Sequence, residues 1–244
     1  MDRSHVTALI RKLENGTPFA PEEIDGILAL PVHIAQIRAG QDIVREGDRP
    51  TRSCLLIDGY ISATKTTGDG GRQITSFYVA GDIPDLQSLH LTVMDIAFAT
   101  LTPCTVGFIP HIAIQTLCRQ FPRIASAMWR STLVDAAIYR DWVANVGQRP
   151  SLNRLAHLLC ELLARSRAAG YGEDHSCELP MNQTELADAL GMSLVHVNRT
   201  LSKLRADGLI AIRKRQLTAL DWPGLMALGD FDPAYLHLPS DPTA

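Results

Sequence analysis

Met181-Asn182-Gln183-Thr184-Glu185-Leu186-Ala187-Asp188-Ala189-Leu190-Gly191-Met192-Ser193-Leu194-Val195-His196-Val197-Asn198-Arg199-Thr200-Leu201-Ser202-Lys203-Leu204-Arg205-Ala206-Asp207 is the stretch that decides the fold of this 244-residue chain. Asn182 followed three residues on by Glu185 is a capping box, which satisfies two of the backbone donors a helix leaves open at its start. Leu186, Ala189 and Leu190 give that helix one apolar side. Gly191 permits a sharp turn, because glycine enters the left-handed region without a Cβ clash. Ser193 then caps a second helix whose inner side is Val197, Leu201 and Leu204. A short helix, a tight glycine turn and a second helix with a polar outer face make a helix-turn-helix.

Working outward, Gly208-Leu209-Ile210-Ala211-Ile212 and Leu217-Thr218-Ala219-Leu220 flank Arg213-Lys214-Arg215-Gln216. This predicts a hairpin with a basic tip, a wing. Residues 193–217 hold six basic side chains (Arg199, Lys203, Arg205, Arg213, Lys214, Arg215) and one acid, Asp207. Residues 1–146 hold 13 basic and 15 acidic side chains, and the whole chain carries −3. A lone charge run can be a solvated helix face. Here the charges fall on the second helix and the wing, the two elements that would face a polyanion, so the reading is DNA.

The N-terminal half has another texture. Residues 4–14 and 21–30 read as short helices, the second opened by Pro21 and the acids Glu22 and Glu23. From about Val32 to Pro110, short β-branched runs alternate with glycines. Ser53–Ile57 and Tyr60–Thr64 flank the turn pair Asp58-Gly59, Ile74–Val79 runs to Gly81-Asp82, and Asp69-Gly70-Gly71 suits a hairpin tip. Strands this short with turns this dense predict a β-roll or barrel.

Pro122 opens a pattern that continues to Val146, with Ile124, Met128, Val134, Ile138 and Trp142 mostly four residues apart. A helix of that length would measure about 37 Å. Its apolar stripe is more than a small roll can cover, so the stripe is expected to pair with a second copy. Gly147-Gln148-Arg149-Pro150 breaks the chain, and Ser151 is read as the N-cap of a helix to about Ala168. The polar stretch 169–175 reads as a loop. The expected organisation is α+β: a double-stranded, cupin-like β-roll over 1–121, a dimerisation helix over 122–146, a hinge at 147–150, and a winged helix-turn-helix with a C-terminal extension over 151–244.

The chain resembles the Crp/Fnr family of bacterial transcription regulators. The resemblance rests on Gly40-x-x-Ile43-x-x-x-Gly47-Asp48, Leu55-Leu56-Ile57-x-Gly59 and Gly81-Asp82 in the roll. In the C-terminal part it rests on Thr184-Glu185-Leu186-Ala187, Arg199-Thr200-Leu201-x-x-Leu204 and Gly208-Leu209-Ile210. It implies a homodimer, a roll of the cyclic-nucleotide-binding type and RNA polymerase as a partner. Arg199 matches the family's base-reading arginine, with a guanidinium able to fork onto guanine. His196, Val195 and Asn198 are the other base-reading candidates, and Gln183, Ser193, Lys203, Arg213 and Lys214 are candidates for phosphate. Leu194 and Val195 stand where relatives often carry Arg and Glu.

The departures lie in the roll. Members that hold cyclic AMP clamp its phosphate with Gly-Glu after the Gly-Asp turn and Arg-Ser or Arg-Thr at the end of the loop. Here Asp85-Leu86 and Met94-Asp95 stand in those places, and no arginine occurs between Arg72 and Arg119. Two carboxylates repel a phosphate, so cyclic-nucleotide binding is not expected, and the effector is left open. The first cysteine is Cys54, which does not suit an N-terminal iron–sulfur cluster. Cys104 and Cys118 read as small buried side chains, and His90 and His111 as structural or surface groups. A cupin-type metal enzyme is the rival class. It needs converging His and carboxylate ligands, and residues 40–110 contain one histidine, His90. No cofactor or metal is expected. With no secretory pattern at the start and no apolar run near the ~20 residues of a membrane helix, the expected location is the cytoplasm.

Overall fold

The structure is a computed structural model and describes residues 3–15, 17–170, 172 and 175–238. These form two units: residues up to 65 with 76–136, and residues 66–75 with 137–238.

The first unit carries helices α1 (Thr7–Glu14) and α2 (Pro21–Leu28), then strands β1 (His33–Ile37), β2 (Asp42–Val44), β3 (Arg52–Asp58), β4 (Ile61–Thr66), β5 (Arg72–Tyr78), β6 (Ala97–Thr100) and β7 (Cys104–Pro110). Helix α3 (His111–Gln120) and the long α4 (Pro122–Gln148) follow. One sheet has the order β1-β7-β3, the other β2-β6-β4-β5, and the registered pairs are antiparallel. Side chains alternate across a strand. Cys54 and Leu56 therefore join Ile61, Tyr78, Met94, Phe98 and Val106 in one core, while Leu55 joins Leu9, Ile27, Ile114 and Ile124 in the other. A strand covered on both faces needs an unbroken apolar run, which is why Cys54-Leu55-Leu56-Ile57 does not alternate in polarity. The roll architecture is as expected from the turn density.

The second unit is built on α5 (Ser151–Ala169), followed by β8 (Ser176–Glu178), α6 (Gln183–Leu190), α7 (Leu194–Ala206), β9 (Ile210–Arg213), β10 (Gln216–Ala219) and α8 (Trp222–Gly229). The sheet order is β8-β10-β9, antiparallel. The segment 66–75 belongs to this unit, with Arg72 Nε 3.0 Å from Asp188 Oδ2 and Gln73 donating to the Ala189 carbonyl. Helix α5 is buried nearly all round, polar residues included. Glu161, 2% exposed, accepts from Trp142 Nε1 at 2.9 Å and from the Tyr235 hydroxyl at 2.7 Å, and pairs with Arg165 at 3.2 Å. His157 lies between the Gly229 carbonyl (3.0 Å) and Asp141 (2.6 Å). Burial opposes ionisation of Asp141, but hydrogen bonds and charge from His157 and Arg149 hold its carboxyl below the ordinary value. Gly229 allows this approach, since a Cβ there would sit 2.8 Å from the His157 nitrogen.

Three differences from the sequence reading concern α4 and its surroundings. The helix runs to Gln148, so the non-helical link is Arg149-Pro150 rather than 147–150. Ser151 is the first helical residue, and Pro150 occupies the cap position. The stripe assigned to a second copy is largely consumed within one chain. Ile124 and Met128 are buried in the first unit, and Ile138 and Trp142 in the second, with Val134 half-buried. The reason is that α1–α3 supply apolar partners to Ile124 and Met128, and α5 supplies Glu161 to Trp142, which a count of roll strands does not anticipate. Strand β8 and helix α8 were not read from the sequence, and Tyr171, Glu173 and Asp174 of the expected loop lie outside the described residues.

Removing the Glu161 carboxylate leaves the buried Arg165 without that counter-charge and Trp142 and Tyr235 without that acceptor. Glu161→Ala is expected to cost about 3–5 kcal/mol of stability. Denaturant unfolding checks this, and a loss under 1 kcal/mol would show that the cluster is not a stabilising unit.

Candidate functional site

The capping box of α6 forms as the spacing requires. Asn182 Oδ1 accepts the Glu185 N–H at 2.9 Å, and Glu185 accepts the Asn182 N–H at 2.7 Å. Gly191 ends α6 in the left-handed region at φ 59°. Arg154 of α5 donates to the Leu190 carbonyl at 2.6 Å, covering one of the helix's open acceptors. Ser193 Oγ accepts the His196 N–H at 3.3 Å and starts α7. The inner side of α7, Val197, Leu201 and Leu204, is buried as read.

The outer side of α7 presents the candidates. Val195 is 79% exposed and Leu194 46%, and Arg199 is exposed. Asn198 is half-buried. His196 is also half-buried, and its Nε2 lies 2.7 Å from Ser151 Oγ and 3.3 Å from Arg199 Nη2. Lys203 pairs with Asp207 at 2.6 Å, one turn away. Such a surface pair is weak and can yield to a phosphate. Gln183 and Ser193 are exposed at the starts of α6 and α7.

Two residues join β9 to β10, Lys214 at φ 49° and Arg215 at φ 68°. Both are left-handed, as a two-residue hairpin of this type requires, yet neither is Gly or Asn. Arg215 is held back: it donates to the Pro180 carbonyl and lies 3.5 Å from Glu178. Arg213 and Lys214 are exposed at the tip. No local spacing signals the Arg215, Arg154 and Ser151 contacts, whose partners are 35, 36 and 45 positions distant.

Residues 153–228 match the Crp-like helix-turn-helix domain, and residues 34–121 match the cyclic nucleotide-binding domain. The chain belongs to the Crp/Fnr family of transcription regulators. It is 26% identical over 194 residues to the transcriptional activator protein FnrL of Cereibacter sphaeroides, covering 78% of this chain and 77% of that one. To the transcriptional regulatory protein btr of Bordetella pertussis it is 28% identical over 170 residues, 70% of each. The solved structure of FixK2 from Bradyrhizobium japonicum has the same fold, with a TM-score of 0.74 at 22% identity, over 82% of this chain and 98% of that one.

In this Crp/Fnr regulator the roll loop does not fit a nucleotide phosphate. Asp85 is buried, with Oδ1 accepting the Cys54 N–H at 2.8 Å, and burial pushes its carboxyl up to about 7. Asp82 is taken up by Lys12 and by the Val79 N–H. Met94 is packed in the core between the sheets, with its backbone bonded to Gly47 and Asp48. Residues 81–95 contain no lysine or arginine. Beside Asp85 is an open groove of about 460 Å³ with Arg49 and Arg52 on its wall, but the Arg52 guanidinium lies 4.0 Å over the Phe108 ring. Burial raises the Cys54, Cys104 and Cys118 thiols, so none is held as a reactive thiolate. His111 bonds Ser88 at 3.0 Å, and burial lowers its pKa.

A carboxyl raised by burial favours the folded state in acid and opposes it once ionised. That stability is complete below the ordinary value of 3.8 and is lost as pH rises through about 7. Asp85→Asn keeps an acceptor for Cys54 and removes the titration. Relative to the parent, the variant should gain about 2–3 kcal/mol between pH 5 and pH 8 in urea unfolding. Parallel curves for the two proteins would refute the assignment.

Proposed function

We propose that this regulator binds an inverted-repeat operator as a homodimer and reads bases through α7. The observation that carries the reading is the exposed outer side of α7, with Arg199 and Val195 on it, beside a wing whose tip presents Arg213 and Lys214. Arg199 forks onto a guanine, Val195 meets thymine methyls, and Asn198 bonds a base edge. Gln183, Ser193, Lys203, Arg213 and Lys214 take phosphates, which set position rather than sequence. The roll acts as a sensor that does not use a cyclic nucleotide, since its loop offers the buried Asp85 carboxyl and the packed Met94 in place of a phosphate clamp. RNA polymerase is the further partner and the cytoplasm the place of action. No helix among the described residues is long and apolar enough to cross a membrane.

The dimer face is on α4, but not on the stripe read from the sequence. Trp129, Leu133 and Val143 are 69%, 54% and 74% exposed. With Ala136 and Arg140 they keep the alternating four–three spacing of a coiled-coil seam. Such a seam is self-complementary about a two-fold axis and suits a second copy of α4.

Trp129→Asp combined with Leu133→Asp is expected to give monomers by light scattering with little change in thermal stability. The double change Ile138→Asp and Trp142→Asp should instead unfold the protein. A dimeric Trp129/Leu133 variant would place the interface elsewhere.

The two kinds of DNA contact separate by salt and sequence. Arg199→Ala should cost about 1–3 kcal/mol per half-site and relax preference at one base pair. Lys214→Ala should weaken all sequences alike and make the slope of log affinity against log salt shallower by about 1 per subunit. Operator selection on random DNA, then titration of both variants on single-base changes across a salt series, measures this. Unchanged base preferences in Arg199→Ala with altered ones in Lys214→Ala would mean that the wing reads sequence.

A further inference from the structure

We infer that His196 is a positioning residue for Arg199, held by Ser151, and is not itself a reader of bases. The inference rests on the reading of α7 as the recognition helix and assigns a role inside it. A guanidinium has only donors. For Arg199 Nη2 at 3.3 Å to bond His196 Nε2, that nitrogen carries no proton and offers its lone pair. The Ser151 hydroxyl, 2.7 Å from the same nitrogen, then donates to it as well. In this arrangement the ring proton is assigned to Nδ1, and the one accepting nitrogen is shared by a serine and an arginine.

Three features make this a built arrangement. Ser151 is the first residue of α5, whose following residues are anchored in the core by Leu155, Leu158 and Leu159. Its hydroxyl comes from a rigid helix and not from a loop. The ring is fixed at its root, because the His196 N–H bonds Ser193 Oγ and the His196 carbonyl accepts from Thr200 Oγ1 at 2.8 Å. Arg199 stands one turn along the same helix with Nη2 3.3 Å from the ring, so both partners of the ring come from helical backbone. The consequence for Arg199 is a restricted side chain. A free arginine loses rotamer freedom when it is fixed on a base, and the contact with His196 settles part of that ordering before DNA arrives. A base-reading role for His196 through Nε2 would require giving up the Ser151 contact.

The juxtaposition predicts a dependence that runs through Arg199. His196→Leu removes the acceptor at similar size. His196→Gln places an amide oxygen near the Nε2 position and can accept from both neighbours. Ser151→Ala removes the anchor alone. Each full-length variant is checked for an unchanged unfolding midpoint, then titrated on the selected operator and its single-base variants. His196→Leu and Ser151→Ala should each lose about five- to tenfold of the preference at the base pair read by Arg199, with other positions unchanged. His196→Gln should retain that preference within about twofold, and in an Arg199→Ala background His196→Leu should change nothing further. Loss of preference at a different base pair would make His196 a direct reader and overturn the inference. Failure of His196→Gln to rescue, or a full additional effect in the Arg199→Ala background, would overturn it too. If Arg199→Ala itself leaves every preference intact, the reading of α7 falls and this assignment with it. If Arg199 matters and His196→Leu does not, only the assignment falls.

Discussion

The apolar side chains along α4 are the constraint on which the rest depends. A 27-residue helix cannot be stable in water on propensity alone and must bury a face. Ile124 and Met128 are taken into the core of the first unit, and Ile138 and Trp142 into that of the second. What is left over is Trp129, Leu133 and Val143 on a different side of the helix. A contiguous row of exposed apolar side chains on a folded protein often marks an association surface. The same element thus completes two cores and carries the row proposed for association. The two roles do not compete, because they draw on different residues.

Helix α5 has the corresponding role for the helix-turn-helix. It is buried on almost every side, and Ser151, Arg154, His157, Glu161 and Arg165 are each placed against a named partner. Glu161 and His157 collect donors and acceptors from α4 and from the chain after α8. Arg154 closes the end of α6, and Ser151 reaches His196 on α7. A recognition helix is useful only if its angle and register are fixed to within a fraction of an ångström. Here they are fixed by hydrogen bonds from a rigid neighbour as well as by packing. The wing follows the same logic. Two consecutive left-handed residues with long side chains are unfavourable by themselves. Arg215 offsets this by bonding back to β8, which leaves Lys214 and Arg213 at the tip.

The roll shows how far a fold can persist when the chemistry inside it changes. Its glycines and alternating strands are requirements of backbone geometry, and they match the cyclic nucleotide-binding domain over residues 34–121. The side chains of the loop answer to a different demand. Asp85 and Met94 are both buried, the first bonded to the backbone and the second packed between sheets. A phosphate clamp needs cationic or N–H groups facing an accessible space. A ligand for this site has to be argued from the loop's own side chains and not from the fold.

Local features were legible in the sequence wherever the controlling interaction spans a few residues. The capping box at Asn182 and Glu185, the Gly191 turn, the apolar side of α7 and the basic hairpin all depend on neighbours within one or two turns. Spacing is enough to specify them, and the family resemblance follows from the same residues. The order of roll, long helix and winged helix was determined in the same way. Only the tertiary structure decided which side of α4 is buried, because a stripe of Ile124, Met128, Ile138 and Trp142 looks the same whether a second copy or the chain's own helices cover it. It also decided that Ser151 bonds His196 instead of capping α5, and that Arg215 turns back while Lys214 points out. Those pairs are 35 to 45 residues apart in sequence, and their energies arise from directional contacts that exist only once the backbone has brought them within 4 Å.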